Sequence, residues 1–239
     1  MYDKIVAADL KLNFDFEKIS SEIKNCRSLW SYTPIWHKWI NDANSGAVFK
    51  VESDELYKKV TSKVPELTFE KELQGFYTLY LRTPMGDLKK KKSFSVTKYL
   101  DHKNWEWNKD LEHNIPYTIK CIESLPYDHI GLIRIFITEN TFLPTHSDYD
   151  QKLEKSGNKT DLSKTLGISI VSSTGGVPLK IWSKKENAVK EIYGHCHIFR
   201  DSIPHGVPFT KDIRITIRIF GEVRYEELEK LIDWDSVIE

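Results

Sequence analysis

Short apolar runs separated by turn residues dominate the chain from about Gly131 onward. Each run is rich in β-branched or aromatic residues and too short for a typical helix, so each predicts a β-strand. The five predicted strands are residues 132–138, 167–172, 177–182, 195–199 and 213–221. Turn signals separate them at Thr174-Gly175-Gly176, at Gly194 and around Pro204. Several short strands without long helices between them predict two packed β-sheets, as in a jelly roll.

Helical patterns occupy much of the rest of the chain. Asp15 can cap a helix, and apolar side chains follow it at helical spacing: Phe16, Ile19, Ile23, Cys26 and Trp30. Further helices are predicted at 53–60, at 114–123 with Pro116 in its first turn, and at 225–234, and one more strand at 76–81. We therefore expect one mainly β domain of the α+β class. It comprises a mixed N-terminal elaboration over 1–130, a jelly-roll core over 131–221 and a C-terminal helix over 222–239.

The last predicted strand has two chemically different faces. Because side chains alternate along a strand, Ile213, Ile215, Ile217 and Ile219 share one face, whereas Arg214, Thr216 and Arg218 share the other. Buried arginines need anions to offset their charge. The pattern therefore fits either an outer strand whose polar face meets solvent or an inner strand that binds an anionic ligand.

Composition and charge exclude several classes of protein. Of the 239 residues 40% are hydrophobic and 29% charged, and the formal net charge is zero, so neither nucleic acid nor an acidic membrane surface is an expected partner. No run approaches the roughly 18 apolar residues of a membrane span. The four lysines at 89–92 fit a solvated loop or a small patch for an anionic partner.

The three cysteines are scattered and lack CxxC spacing. They are Cys26, Cys121 and Cys196. An odd number without paired spacing argues against a disulfide framework and against a cysteine-built zinc site. A reducing compartment fits best, so we expect a cytoplasmic location.

His146, Asp148 and His205 are the candidate metal ligands. His146 and Asp148 are two residues apart, so in an extended segment their side chains point to the same side. His205 follows 59 residues later, and several strands would have to return the chain to the first pair. Two imidazoles and one carboxylate are the ligand set of a mononuclear non-haem Fe(II) site, which leaves open positions for other ligands. Arg214, nine residues beyond His205, could bind a carboxylate through both guanidinium nitrogens.

Other residues near these positions have more than one interpretation. His195 and His197 would share one face of a strand. They could be primary metal ligands themselves, or they could support the primary ligands and line the wall of the pocket. Trp182 could line the pocket but fits the hydrophobic core as well. The polar segment 149–165 follows a candidate ligand, so it is either a surface loop or a lid over the site.

The segment from Arg134-Ile135-Phe136 through Leu143-Pro144-Thr145-His146-Ser147-Asp148 resembles Fe(II)/2-oxoglutarate-dependent oxygenases. It is most similar to the aspartyl/asparaginyl β-hydroxylases and the free-proline hydroxylases. Gly194 through Phe199, followed by Pro204-His205-Gly206-Val207 and Arg214, looks like the second motif of the same family. The resemblance covers about residues 131–221.

The resemblance implies a double-stranded β-helix, the cupin-like jelly roll, with Fe(II) bound by His146, Asp148 and His205. It implies that 2-oxoglutarate and O₂ are cosubstrates and that Arg214 binds the distal carboxylate of 2-oxoglutarate. The spacing from His205 to Arg214 is one residue shorter than in the most similar members, so Arg218 is kept as the other candidate. Arg134 corresponds in position to an arginine that holds a substrate carboxylate, although it also fits a structural ion pair.

Three functions follow from these observations. The first is an Fe(II)- and 2-oxoglutarate-dependent hydroxylase acting on a C–H bond of an amino acid, a small carboxylate or a peptide side chain. The second is a cupin-type metal enzyme without 2-oxoglutarate, in which Arg214 and Arg218 bind substrate. The third is a non-catalytic jelly-roll binding module whose histidines are structural.

Overall fold

The computed structural model describes residues 4–33, 76–84, 104–146, 167–201 and 203–239. Within these ranges the strands are β1 (Ala7–Asp9), β2 (Ser31–Thr33), β3 (Phe76–Pro84), β4 (Trp105–Trp107), β5 (Tyr127–Thr138), β6 (Thr141–His146), β7 (Gly167–Thr174), β8 (Leu179–Ser183), β9 (Ala188–Ile192), β10 (Cys196–Phe199), β11 (His205–Thr210) and β12 (Arg214–Val223). The α-helices are α1 (Phe16–Asn25), α2 (Lys109–Glu112), α3 (Pro116–Glu123) and α4 (Tyr225–Leu231).

The strands form two antiparallel sheets. The major sheet has the order β1-β10-β7-β12-β5-β3-β2, with β4 paired to β3, and the minor sheet has the order β6-β11-β8-β9. From β5 to β12 the chain passes repeatedly between the two sheets, and each sheet takes four of these eight strands. This is the strand order of a double-stranded β-helix, so the prediction of a mainly β fold with a jelly-roll core is confirmed.

The outer face of the major sheet is apolar and is covered by helices. Ile215, Ile217 and Ile219 of β12 are fully buried there, together with Ile19 and Ile23 of α1. Each large aliphatic side chain that is fully buried on this face stabilises the fold by about 1.5–3 kcal/mol. The flanking helices therefore pack outside the sheets, as the apolar spacing of α1 predicted.

The inner face of the major sheet looks toward the minor sheet and is polar along β12. A second hydrophobic cluster joins Phe199 of the major sheet to Leu179, Ile181 and Val207 of the minor sheet. Because Arg214 and Arg218 alternate with the outward isoleucines, they lie on this inner face, and both are only 4% exposed. The alternative of a solvent-exposed polar face on an outer strand is therefore wrong.

The predicted helices agree with the structure where it describes them. Asp15 caps α1, since its carboxylate accepts a hydrogen bond of 2.9 Å from the backbone N–H of Lys18. Pro116 begins α3. The C-terminal helix ends at Leu231, three residues earlier than predicted, because Ile232 leaves the helix to form a β-bridge with Leu10. The predicted helix at 53–60 lies outside the described residues.

Several strands had no sequence signal strong enough to predict them. They are β1, β2, β4, β6, β9 and β11. β11 contains Gly206 and Pro208, which are residue types typical of turns. β1 has only three residues and joins the edge of the major sheet through β10. Strands β1 to β4 extend the major sheet with residues that precede the predicted core range.

None of the helices in the described ranges is long and apolar enough to cross a membrane. The longest of the described helices, α1, has ten residues.

Candidate metal and carboxylate site

Two of the three predicted metal ligands lie on adjacent strands of the minor sheet. β6 and β11 are antiparallel neighbours, and the register sets the backbone of His205 directly opposite that of His146. Residues facing each other in such a pair have Cα atoms roughly 4.5–5.5 Å apart. Strand pairing therefore closes the 59-residue gap between the two histidines in the sequence.

The hydrogen bonding of His205 suits a metal ligand. The ring is 5% exposed, and its Nδ1 lies 2.8 Å from the carbonyl oxygen of Ile203. A carbonyl oxygen only accepts hydrogen bonds, so Nδ1 carries the proton and the lone pair lies on Nε2. Histidine ligands in metal sites are commonly oriented by this kind of backbone bond. His205 is thus held in the tautomer that offers Nε2 to a cation.

Arg214 is a cation buried on the inner face of the major sheet. Its Nη1 donates a hydrogen bond of 2.9 Å to Oγ1 of Thr216, but its Nε has no hydrogen-bond partner. Among the described residues no carboxylate forms an ion pair with Arg214. Burial lowers the pKa of its guanidinium to about 10, so the group remains charged at neutral pH. A buried, uncompensated cation is costly, which makes this position suited to an anionic ligand.

Arg218 has the opposite surroundings. Its Nη2 forms an ion pair of 2.6 Å with Asp201 and donates to the carbonyl oxygen of Phe199 at 2.9 Å. Its Nη1 donates to the carbonyl oxygen of Gly167 at 2.6 Å and to Oγ of Ser169 at 3.0 Å. These bonds neutralise Arg218 and use both of its terminal nitrogens. Of the two arginines, the geometry therefore favours Arg214 as the one that binds a carboxylate.

Phe199 connects the histidine side of the site to the arginine side. Its ring centroid is 4.7 Å from that of His205 and 3.8 Å from Cζ of Arg218. Since His205 belongs to the minor sheet and Arg218 to the major sheet, these contacts cross the interior of the jelly roll. The two parts of the candidate site therefore face one interior.

His197 lies on the inner face of the major sheet as a neutral imidazole. It is 1% exposed, and its Nδ1–H points to the carbonyl oxygen of Gly194 at 3.3 Å. Burial lowers the pKa of His197 to about 3, and the positive charges of Arg214 and Arg218 act in the same direction. His197 thus remains neutral in the folded protein at physiological pH.

The burial of a neutral His197 predicts that the protein is less stable at acidic pH. In the unfolded chain a histidine is protonated below about pH 6.5, whereas folded His197 stays neutral down to about pH 3. The unfolded state therefore binds more protons in this window, and the free energy of unfolding falls as the pH falls through it. Between pH 7 and pH 5 the wild type should lose about 2 kcal/mol more than His197→Gln, measured by urea unfolding. Equal losses in the two proteins would contradict this account.

His195 and His197 do not share an environment. His195 precedes β10, is exposed, and stacks on Phe16 of α1 with ring centroids 4.4 Å apart. His197 is buried and lies with Phe199 on the inner face. The prediction that the two rings share one face is therefore wrong, because the strand begins only at Cys196.

Arg134 lies on the same inner face as Arg214 and Arg218. The register of β5 sets it opposite Arg218 on one side and Tyr80 on the other. Its guanidinium carbon is 4.3 Å from the ring centroid of Phe136, 5.3 Å from that of Tyr80 and 5.9 Å from that of Phe76. Such distances are typical of cation–π contacts. The predicted substrate residue is thus half-buried among aromatic rings.

Trp182 is buried in the second hydrophobic cluster, with Ile181 and Val207. Its backbone N–H donates a hydrogen bond of 3.0 Å to the carbonyl oxygen of Pro204. This placement accounts for Trp182 as a core residue, and its role in substrate binding stays a prediction.

Several predicted features lie outside the described residues. They are Asp148, the segment 149–165 and the lysine run 89–92, and of His146 only the backbone is described. Within the described ranges no group of three His, Cys, Asp or Glu side chains is arranged to hold a metal ion. The assignment of Asp148 as the third ligand therefore stays a prediction.

Sequence reasoning missed three residues of this interior. Phe199 and Asp201 orient Arg218, and Thr138 lies opposite Arg214 in the register of β5 and β12. The alternation of side chains along a strand could have identified each of them. Counting every second residue from His197 gives Phe199 and Asp201, and counting from Arg134 gives Thr138.

No protein-family model matches the sequence, and no curated protein sequence matches it. Solved structures are similar in fold. A prolyl-4-hydroxylase from Pseudomonas putida is 9% identical, with 92% of this chain and 93% of that chain covered and a TM-score of 0.42. A prolyl hydroxylase from Trichoplax adhaerens, solved with a hypoxia inducible factor peptide fragment, is 11% identical, with coverages of 95% and 86% and a TM-score of 0.43. The α-ketoglutarate-dependent epimerase SnoN of nogalamycin biosynthesis is 7% identical, with coverages of 91% and 78% and a TM-score of 0.43. Likeness at this level transfers neither activity nor substrate to this chain.

Proposed function

We propose that this protein is an Fe(II)- and 2-oxoglutarate-dependent oxygenase that hydroxylates a C–H bond. The observation that carries the proposal is Arg214, a buried guanidinium without an acidic partner among the described residues. It lies on the interior that His205 also faces, and strand register places His205 opposite His146. A metal site and a carboxylate-binding arginine that face the same interior of the jelly roll fit a cosubstrate that contacts both the metal and the arginine.

His146, Asp148 and His205 would hold the metal. The support is the register of the two histidines and the backbone bond that fixes the tautomer of His205. Bound Fe(II), with 2-oxoglutarate and O₂, would supply oxidation of a C–H bond to an alcohol, with succinate and CO₂ as the other products. Two histidines and one carboxylate leave the open positions that such chemistry needs.

The residues of the chain would bind and orient the cosubstrate. Arg214 can donate two parallel hydrogen bonds to the distal carboxylate, which fixes its direction as well as its distance. The bonds of Arg218 to Asp201, Phe199 and Gly167 hold β12 to its neighbours. The hydrophobic cluster around Phe199 and Val207 excludes water from this side of the interior.

Arg134 favours a substrate with a carboxylate. Its half-buried guanidinium lies on the inner face and is surrounded by Phe76, Tyr80 and Phe136. Such a group can pair with an anionic end of a substrate while the rings contact an apolar part. We therefore propose an amino acid, a small carboxylate or a peptide side chain as the substrate class.

Anaerobic titration with Fe(II) and 2-oxoglutarate tests the function. Chelation of the metal by the cosubstrate should give a weak visible charge-transfer band. His205→Ala should abolish this band and weaken metal binding, because it removes one of three ligands, and loss of a supporting group alone costs about 10–100-fold in metal affinity. Metal uptake without a band would indicate a cupin-type enzyme that does not use 2-oxoglutarate. Failure to bind any metal would indicate a non-catalytic module.

His195→Ala is the matched control for this test. His195 is an exposed histidine that stacks on Phe16 outside the barrel. The variant should keep the wild-type band and metal affinity. Equal losses in the two variants would contradict the placement of the metal at His205.

A further inference from the structure

The ring of His205 is oriented by a backbone carbonyl that lies in the turn between β10 and β11. Its Nδ1 is 2.8 Å from the carbonyl oxygen of Ile203. The N–H of Ile203 donates in turn to the carbonyl oxygen of Arg200 at 3.1 Å, and this bond closes the turn. The orientation of the His205 ring therefore depends on how firmly the turn is held.

Arg218 holds the same turn from the middle of the major sheet. Its Nη2 donates to the carbonyl oxygen of Phe199, the last residue of β10, at 2.9 Å, and to Oδ1 of Asp201 in the turn at 2.6 Å. The side chains of Arg218 and Asp201 are only 5% and 13% exposed. Because buried charges are screened much less than exposed ones, this ion pair fixes the turn relative to β12.

Packed side chains form a second link between Arg218 and His205. Cζ of Arg218 lies 3.8 Å from the ring centroid of Phe199, and that centroid lies 4.7 Å from the ring centroid of His205. The guanidinium can occupy this place because residue 167 is glycine, since a Cβ on Gly167 would lie 2.6 Å from Cζ of Arg218. Two routes thus lead from Arg218 to the ring of His205, one through the backbone of the turn and one through the ring of Phe199.

The ion pair between Arg218 and Asp201 has a use other than stability. Replacing a buried ion pair with apolar side chains is often neutral or stabilising, because both charges must be taken out of water. What the pair supplies instead is a defined geometry, since the planar guanidinium donates its hydrogen bonds in fixed directions. That geometry is imposed on the turn that precedes a candidate metal ligand.

We propose that Arg218 and Asp201 are positioning residues for His205. They hold the turn between β10 and β11 so that the carbonyl oxygen of Ile203 keeps the proton on Nδ1 of His205 and the lone pair stays on Nε2. The inference rests on the proposed function and adds to it the residues that prepare one metal ligand before the metal binds.

The test measures Mn(II) binding by calorimetry without oxygen, with Mn(II) in place of Fe(II). We expect Asp201→Ala to bind Mn(II) roughly 10–100-fold more weakly than the wild type, as for other groups that orient a metal ligand. Nitrogen-15 NMR of the metal-free proteins reports the tautomer of His205 directly. The wild type should show a single tautomer with the proton on Nδ1, and Asp201→Ala should show a mixture of both tautomers.

A double variant separates the hold on the turn from the charge of Arg218. In Asp201→Ala the positive charge of Arg218 is no longer offset by Asp201, and its repulsion could weaken Mn(II) binding by itself. Arg218→Met combined with Asp201→Asn removes both charges while the turn stays unfastened. We expect Mn(II) binding to remain weak in the double variant. Recovery of the wild-type affinity would overturn the positioning role.

Glu22→Ala is the matched control for a general loss of stability. Glu22 lies on α1, outside the sheets, and its carboxylate accepts hydrogen bonds from the backbone N–H groups of Tyr117 at 3.0 Å and Thr118 at 2.8 Å. This variant should be less stable but keep the Mn(II) affinity and the single His205 tautomer of the wild type. Wild-type affinity or a single tautomer in Asp201→Ala overturns the inference and leaves the proposed function in place. Absence of Mn(II) binding in the wild type overturns both.

Discussion

Replacing Arg214 with methionine is expected to weaken 2-oxoglutarate binding by at least roughly 30-fold, since truncating one partner of a buried charge pair costs about 2–5 kcal/mol or more. Methionine fills much of the volume but offers no donor, so the distal carboxylate would be buried without a partner. Metal binding should be unchanged, because the proposed ligands lie on β6, β11 and the segment after β6. Calorimetry of 2-oxoglutarate with Mn(II), and of Mn(II) alone, measures the two effects separately.

Stability of the free Arg214→Met protein gives a second readout. Arg214 is a buried cation whose only hydrogen bond from the described residues goes to Thr216. Replacing an uncompensated buried charge with an apolar side chain is neutral or stabilising. We therefore expect the midpoint of urea unfolding to be unchanged or raised. Unchanged 2-oxoglutarate affinity in this variant would remove Arg214 from the cosubstrate site.

Arg218→Met is expected to destabilise the fold by about 3–5 kcal/mol, because it breaks the buried ion pair between Arg218 and Asp201. The change also removes hydrogen bonds to the backbone of Gly167 and Phe199, which join β12 to β7 and β10. Adding Asp201→Asn should restore part of the loss, because it removes the negative charge that Arg218 neutralises. Urea unfolding of the single and double variants measures the coupling.

An exposed ion pair serves as the control for Arg218. Arg27 and Glu139 approach to 3.2 Å, with side-chain exposures of 64% and 29%. Surface pairs contribute about 0–1 kcal/mol, so Arg27→Met should have little effect on unfolding. If Arg218→Met were equally mild, its network would not have the structural role described above. Arg218 would then become the candidate for carboxylate binding.

Strand β12 illustrates what could be predicted from the sequence. Strict alternation of isoleucine with arginine and threonine defines two faces, and the structure buries the isoleucines against helices. Helix α1 follows from Asp15 and the apolar spacing behind it. Both patterns are local, since each depends on residues within a few positions of one another.

Strands β6 and β11 show where prediction from the sequence fails. β11 carries Gly206 and Pro208, and it is a strand because β6 and β8 hydrogen-bond to its two sides. Its pairing with β6 is irregular, with register shifts on either side of Val207. Pairing between distant segments depends on the whole sheet and leaves little trace in the local residue pattern.

Local patterning alone thus determined the two faces of the last strand, the amphipathic first helix and the candidate residues for metal and carboxylate binding. The tertiary structure decided which arginine is neutralised. Arg214 and Arg218 are equivalent in the alternation, but Asp201 comes from a turn 17 residues earlier and pairs with Arg218. The register of β5 likewise brings Thr138 opposite Arg214. Charge compensation and cross-strand proximity are properties of the folded sheet, because they depend on which distant segments become neighbours.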